Sequence, residues 1–237
     1  MKILLIAGHG GDDPGATAFG RKESELAREL VTELENALGR YECDVDIYPM
    51  DRSAYNDLIT KGISYNFKQY DYVLEVHFNA YKEDIGNGKT KGTEIYVTYS
   101  EGIVSVEEAI VKNIAGLGFA NRGVKRKNFS VILAAKNQGV SSALLETCFI
   151  DDADDMKNYD VTQVAEAIAE GIAHGFKLQE VKVMAGFKDI TGHWAEENIL
   201  KMQAEGIING YADGTFKPDK AITRAEVATI IARLLDR

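Results

Sequence analysis

The chain has 237 residues, of which 45% are hydrophobic and 27% are charged, a composition typical of folded globular proteins rather than disordered ones. It contains no run of the roughly 18 apolar residues that a membrane-spanning helix needs, so no membrane partner is expected. Its net charge of −10 argues against a nucleic-acid partner, because neutralising phosphates requires a basic surface.

Strands and helices are predicted to alternate through the first 176 residues. Six apolar runs predict strands: Lys2–Ala7, Val45–Tyr48, Tyr72–Val76, Glu94–Tyr99, Val131–Ala134 and Ala143–Phe149. Four segments with helical spacing predict helices: Glu23–Leu38, Ala54–Phe67, Val104–Leu117 and Val161–Phe176. This alternation predicts an α/β fold with a twisted, mostly parallel or mixed sheet flanked by helices. The one dense basic run, Lys125–Lys127, is expected to lie in a solvated loop.

The pattern changes near Lys177, and residues 178–186 lack either periodicity, which predicts a linker. Beyond it, a helix is predicted over Trp194–Glu205 and a second from Thr223, its N-cap, to about Leu235. The sequence thus predicts a first domain over residues 1–177 and a small all-α helical-hairpin module over residues 187–237. Two short helices bury little apolar surface, so this module is expected to pack on other copies or on the first domain.

Two of the four histidines follow predicted strands. His9 comes after the first strand in a glycine-rich turn, and His77 comes directly after the strand that ends at Val76. In open α/β sheets, ligands collect beyond the carboxyl ends of the strands. A catalytic zinc takes three protein ligands, commonly two histidines and a glutamate. Glu23 is the natural third ligand, and Asp12 and Asp13 compete with it.

Glu146 lies inside the apolar run Ala143–Phe149, where a carboxylate is costly to bury. Such a residue indicates either a catalytic role or a partner in a structural salt bridge, and the strand alone leaves both open.

Three ordered segments, Gly8–Ala16, Glu23–Ala27 and Val76–Ala80, resemble the zinc-dependent N-acetylmuramoyl-L-alanine amidases of bacterial autolysins and phage endolysins. A fourth segment, Leu144–Ile150, matches the late strand that carries the family's catalytic glutamate. The resemblance implies that Zn²⁺ is bound by three of these residues, His9, Glu23 and His77. It further implies that Glu146 takes a proton from the zinc-activated water and returns it to the leaving amine. The bond cut would join N-acetylmuramic acid to L-alanine of the peptidoglycan stem peptide.

The second domain resembles a surface-layer homology (SLH) module, a likeness carried by five segments: Phe187–Ile190, Gly192–Ala195, Gly206–Tyr211, Asp213–Pro218 and Ile222–Glu226. The resemblance implies binding to a secondary cell-wall polysaccharide, with Arg224 suited to the carboxylate of an acidic sugar. Trp194 is a candidate for the same contact or, alternatively, part of the module's core. Such modules usually occur in threes and this chain has one, which predicts a homo-oligomer formed through the module.

The interpretation favoured by the sequence is a phage endolysin, held in the cytoplasm until release because its N-terminal run is too short for a signal peptide, and then acting on the cell wall. A host wall amidase is the nearest variant. Two alternatives remain: a non-catalytic wall-binding protein on an amidase scaffold, and a zinc peptidase that cuts within the stem peptide.

Overall fold

The computed structural model describes residues 1–181, 186–211 and 213–235, and the chain divides into two compact units, Met1–Val181 and Lys182–Arg237. The strands are β1 Lys2–Ala7, β2 Thr17–Ala18, β3 Arg21–Lys22, β4 Asp44–Ile47, β5 Tyr72–Asn79, β6 Thr93–Val97, β7 Asn121–Arg126 and β8 Ser141–Phe149. The α-helices are α1 Glu23–Leu38, α2 Ser105–Gly116, α3 Ser130–Asn137, α4 Ala153–Asn158, α5 Val161–Phe176, α6 Glu196–Ala204 and α7 Arg224–Leu235.

Six strands of the first unit form one sheet in the order β4-β1-β5-β8-β6-β7, and β2 pairs only with β3. Neighbours in the large sheet are parallel except β6, which runs antiparallel to β8. The predicted α/β fold with a mostly parallel, mixed sheet is therefore confirmed. Because β1, β5 and β8 run the same way, the residues at their carboxyl ends meet at one edge of the sheet.

Helices cover both faces of this sheet. Alternate residues of β1 and β5, such as Leu5 and Leu74, join the larger core together with α1, α2 and α5. The residues between them, such as Ile6 and Val73, face a smaller core completed by α3. The period-two alternation of side chains along a strand explains why neighbouring residues enter different cores. The smaller core leaves room beside α3 at the carboxyl end of the sheet.

Three elements differ from the sequence-based prediction. Val131–Ala134 belongs to helix α3 rather than a strand, because the buried Val131 and Ala135 are four residues apart and face the same core. A four-residue apolar run is too short for its period to separate helix from strand. Over 54–67 the predicted α-helix is replaced by the π-helical turn Asn56–Thr60, then Gly62 at φ +66°, and a 3₁₀ turn, Phe67–Gln69, begins at the last residue of this range.

The third difference concerns the basic run, where Lys125 and Arg126 lie in β7 and not in a loop. This strand pairs only with β6 and forms the edge of the sheet. Charged side chains are common on edge strands, since they discourage pairing with another chain. The polar pattern therefore concealed a strand.

The second unit contains α6 and α7 around a small core of Phe187, Ile190, Ile199, Ile207 and Ile208. The predicted capping box is present: Thr223 N–H donates to Glu226 Oε2 at 2.7 Å, and Glu226 N–H donates to Thr223 Oγ1 at 3.2 Å. The side chain of Trp194 is 87% exposed, so its alternative placement in the core is wrong.

The predicted linker, residues 178–186, begins on the first unit, where Val181 N–H donates to the Arg40 carbonyl. Its residues 182–185 lie outside the described part of the chain. Among the described helices, none is both long and apolar enough to cross a membrane.

Candidate active site

The turn after β1 brings His9 over the carboxyl end of the sheet. His9 has a φ of +58°, in the left-handed region that costs a residue with a side chain about 1–3 kcal/mol. Gly8 precedes it, and a Cβ at Gly8 would lie 2.5 Å from the ring of His77. Only glycine therefore allows the backbone to pass so close to the second histidine.

The guanidinium of Arg28, on α1, holds this strained turn in place. Its Nη1 donates to the carbonyl of Gly8 at 3.1 Å and its Nη2 to that of His9 at 3.1 Å. Three further bonds reach the carbonyls of Ser24, Met50 and Arg52. A planar guanidinium with five N–H donors can bond all of these carbonyls at once. A lysine could not, because its ammonium is a point charge with three donors.

His77 lies on β5, where its register partner on β8 is Glu146. The register shifts between His77 and Asn79, which marks a bulge beside the site. Bulges are common next to active sites because they redirect side chains at the end of a strand.

Glu23, the first residue of α1, bridges the two histidines. Its Oε2 lies 3.1 Å from His9 Nε2, and its Oε1 lies 2.8 Å from His77 Nδ1. Burial alone would raise the pKa of Glu23, but the hydrogen bonds with His77 and His9 outweigh it and hold that pKa well below its ordinary value. The pKa of His9 is raised, mainly by its hydrogen bond with Glu23.

These three side chains fit a zinc ion. One donor atom from each of His9, Glu23 and His77 lies within 4.8 Å of the other two. A Cβ at Gly15 would lie 2.7 Å from both Glu23 Oε2 and His9 Cδ2, so a glycine keeps this side of the cluster open. Two imidazoles and one carboxylate form a set that zinc takes in hydrolases, with a fourth position left for a non-protein ligand.

The two competing aspartates lie elsewhere. Asp13 Oδ2 is 2.8 Å from Nδ1 of His9, the ring nitrogen that faces away from Glu23, and Asp12 is exposed. The geometry therefore brings Glu23, and not Asp12 or Asp13, between the two histidines.

Glu146 lines the same pocket from β8. Burial raises the pKa of its carboxyl to about 7, against an ordinary value of 4.5. Its Oε2 is buried, and among the described residues it has neither a hydrogen-bond partner nor a salt-bridge partner. A buried acceptor without a partner is costly unless a ligand or water completes it.

The pocket has a volume of about 480 Å³. Its lining combines the polar groups described above with apolar side chains, among them Phe129, Val131 and Leu144. Asn79 also lines it, and its Nδ2 donates to Glu94 Oε1 at 3.0 Å. A cleft lined by both polar and apolar groups can orient an amphipathic substrate and limit the access of water.

Sequence reasoning missed two residues of this site, Arg28 and Glu75. Arg28 lies within an amphipathic helix, where an arginine has many ordinary roles. Glu75 lies in a predicted strand, two residues before His77, and lines the pocket. The one signal in the sequence was a carboxylate within the apolar run Tyr72–Val76, the same kind of signal that identified Glu146 as a candidate.

The two predicted ligand contacts of the second unit are both exposed: Arg224 is the first residue of α7, and Trp194 precedes α6. Neither lines the pocket of about 580 Å³ found in the described part of this unit. Lys217 and Lys220 there stand over the ring of Tyr211, at 4.4 and 4.8 Å from its centre.

Comparison with known proteins assigns both units. Residues 3–177 match the family model of N-acetylmuramoyl-L-alanine amidase, and residues 186–228 match that of the S-layer homology domain. Over 189 residues the chain is 32% identical to an endolysin of Bacillus phage SPP1, a match covering 75% of this chain and 67% of the endolysin. Over 51 residues it is 51% identical to cell surface glycoprotein 1 of Acetivibrio thermocellus, covering 22% of this chain and 2% of that protein.

Among solved structures, the N-acetylmuramoyl-L-alanine amidase AmiC2 of Nostoc punctiforme has the same fold, with a TM-score of 0.60 at 20% identity. That likeness covers 75% of this chain and 97% of the other. Since the first family model spans well over half of the residues, the chain belongs to the N-acetylmuramoyl-L-alanine amidase family, and an S-layer homology domain follows its amidase domain.

Proposed function

We propose that the chain is a zinc-dependent amidase that hydrolyses the bond between N-acetylmuramic acid and L-alanine in peptidoglycan. The observation that carries the proposal is the placement of Glu146, a half-buried glutamate whose buried Oε2 has no hydrogen-bond partner, in the pocket that contains the cluster of His9, Glu23 and His77. The domains are assigned as residues 1–177 for catalysis, 178–186 for the linker and 187–237 for wall binding.

Zinc would be held by His9, Glu23 and His77. When bound, it would supply Lewis acidity toward a carbonyl oxygen and toward water. Glu23 is kept ionised by the hydrogen bonds with both histidines, so it supplies the negative charge of the ligand set.

Glu146 moves the proton. As a carboxylate it accepts a proton from the attacking water while the new C–O bond forms at the lactyl carbonyl carbon. As the protonated acid it then donates that proton to the nitrogen of L-alanine, and the C–N bond breaks. A pKa of about 7 lets one carboxyl both accept and donate near neutral pH.

A direct test measures cell-wall turbidity, bound zinc and the products released. We expect lysis by the wild type, loss of lysis in EDTA, and an inactive Glu146→Gln that still binds about one zinc per chain. New L-alanine amino termini on intact glycan would distinguish amidase action from a peptidase that cuts within the stem peptide. Walls that are bound but never cut by the zinc-loaded protein would overturn the proposal in favour of a binding protein.

The second domain is proposed to bind a secondary cell-wall polysaccharide, with Arg224 and Trp194 as contacts. Both side chains are exposed, and a guanidinium suits a sugar carboxylate. We further propose that chains associate through this domain, since none of the residues of α7 is buried and its Val227, Ile231 and Leu234 are exposed. A monomeric mass by light scattering at micromolar protein would refute the oligomer.

The proposed role is that of a phage endolysin, kept in the cytoplasm and acting on the wall after release. The similarity to the endolysin of phage SPP1 supports this role. Expression of the chain in the cytoplasm with and without a pore-forming holin would test it, since lysis only in the presence of the pore is expected.

A further inference from the structure

Each histidine of the cluster has a second carboxylate on its far ring nitrogen. Glu75 Oε1 lies 3.3 Å from Nε2 of His77, whose Nδ1 faces Glu23. Asp13 Oδ2 lies 2.8 Å from Nδ1 of His9, whose Nε2 faces Glu23. His77 therefore faces Glu23 with Nδ1 and Glu75 with Nε2, whereas His9 faces Glu23 with Nε2 and Asp13 with Nδ1.

The two outer carboxylates differ in their surroundings. The side chain of Asp13 is 46% exposed and is also fixed by the N–H of Gly15, which donates to Oδ1 at 3.0 Å. Glu75 is only 4% exposed, on the face of the sheet that carries Ile6 and Val73. No lysine or arginine among the described residues pairs with Glu75, so its partner is the imidazole of His77.

A buried carboxylate next to an apolar core is costly, and its contact with His77 offsets that cost only if the ring presents a proton on Nε2. A neutral imidazole carries one proton, and the other nitrogen keeps the lone pair that binds a metal. A proton on Nε2 therefore leaves the lone pair on Nδ1, which faces Glu23.

On the basis of the proposed zinc site, we infer that Glu75 is a positioning residue that fixes the tautomer and ring orientation of His77, so that this histidine binds zinc through Nδ1. Asp13 acts in the same way on His9, which binds through Nε2. Zinc ligands commonly donate their other ring N–H to a carboxylate, and losing such a partner typically lowers metal affinity about 10- to 100-fold.

The first test is spectroscopic and needs no variant. Long-range nitrogen–proton NMR of the zinc-loaded wild type distinguishes the protonated from the metal-bound nitrogen of each ring. We expect a proton on Nε2 of His77 and on Nδ1 of His9. A proton on Nδ1 of His77 overturns the inference while leaving the zinc site intact, whereas a wild type that binds no zinc overturns both.

The second test compares zinc dissociation constants, measured by competition with a chromophoric chelator, for Glu75→Gln and Glu75→Leu. Glutamine keeps an acceptor for the Nε2 proton and leucine does not. Leucine should therefore weaken zinc binding about 10- to 100-fold and glutamine by less. Glu107→Gln is the matched control, because Glu107 is also buried, at 2% exposed, but accepts from Tyr72 on the other face of the sheet. A Glu75→Leu protein with unchanged zinc affinity would overturn the inference, and the NMR result decides it if that variant does not fold.

Discussion

Replacing Glu146 with glutamine should remove activity and, in the zinc-free protein, increase stability in a pH-dependent way. Burial raises the pKa of this carboxyl from 4.5 to about 7. When folding raises the pKa of a carboxyl, the group contributes fully to the free energy of unfolding at a pH below its unfolded-state pKa. That contribution is lost as the pH rises through the folded-state pKa. Ionised Glu146 should therefore cost the zinc-free fold about 3 kcal/mol at pH 8, since one pKa unit corresponds to about 1.4 kcal/mol.

Glutamine cannot ionise, so the variant avoids this cost. The difference in free energy of unfolding between Glu146→Gln and wild type should grow between pH 5 and pH 8 by up to about 3 kcal/mol. Bound zinc should shrink the difference, because a nearby dication favours the carboxylate. Lysis by the zinc-loaded variant should fall by about 10²- to 10⁴-fold, the usual contribution of a general base.

The stability assay is urea unfolding in EDTA at pH 5 and pH 8, followed by far-ultraviolet circular dichroism. Fluorescence would report the wrong unit, since the chain's one tryptophan, Trp194, lies in the second. The control Glu107→Gln should also stabilise the protein as pH rises, because burial raises the pKa of Glu107, yet it should leave lysis unchanged. Equal stability differences at the two pH values, or full activity in Glu146→Gln, would refute the reasoning.

Three further results are expected. Arg28→Lys should lower the free energy of unfolding by about 2–4 kcal/mol in urea, because several part-buried carbonyls lose their donor. A loss below about 0.5 kcal/mol would contradict the role of Arg28 in holding the turn. Gly8→Ala should weaken zinc binding in chelator competition, since its Cβ would meet the His77 ring at 2.5 Å, whereas Gly102→Ala, with no atom within 4 Å, should not. Arg224→Ala should reduce retention on cell walls that carry acidic polysaccharide while leaving activity on soluble fragments unchanged, and equal retention would exclude Arg224 as a contact.

The sequence predicted those parts of the molecule that depend on local pattern. β1 and the predicted part of β5 are mostly apolar runs, and α1 has a clear helical stripe, so His9, His77 and Glu23 could be placed at the ends of elements. Parallel pairing of β1 with β5 then brings the two histidines to one edge, a step that needs only the general rule for α/β sheets.

The parts that could not be predicted depend on tertiary contacts. The buried face of helix α3 is defined only by its packing against residues of other elements in the smaller core. Strand β7 has a polar pattern because it lies at the edge of the sheet. The role of Arg28 is visible only once the carbonyls of Gly8 and His9 surround its guanidinium. Which ring nitrogen of a histidine faces a metal is likewise a property of side-chain packing, to which the sequence pattern is blind.

Helix α1 contributes twice to the site, and this couples the strained turn to the proposed metal ligands. Its first residue, Glu23, contacts both histidines, and Arg28, about one turn later, binds the carbonyls of the turn that carries His9. The positive φ of His9 is therefore maintained from the same helix that supplies the proposed third ligand. A ligand that binds only the folded state stabilises it by mass action, so zinc should offset part of this strain. Because protein contacts alone fix this turn, ordering His9 should cost little of the affinity for the proposed zinc ion.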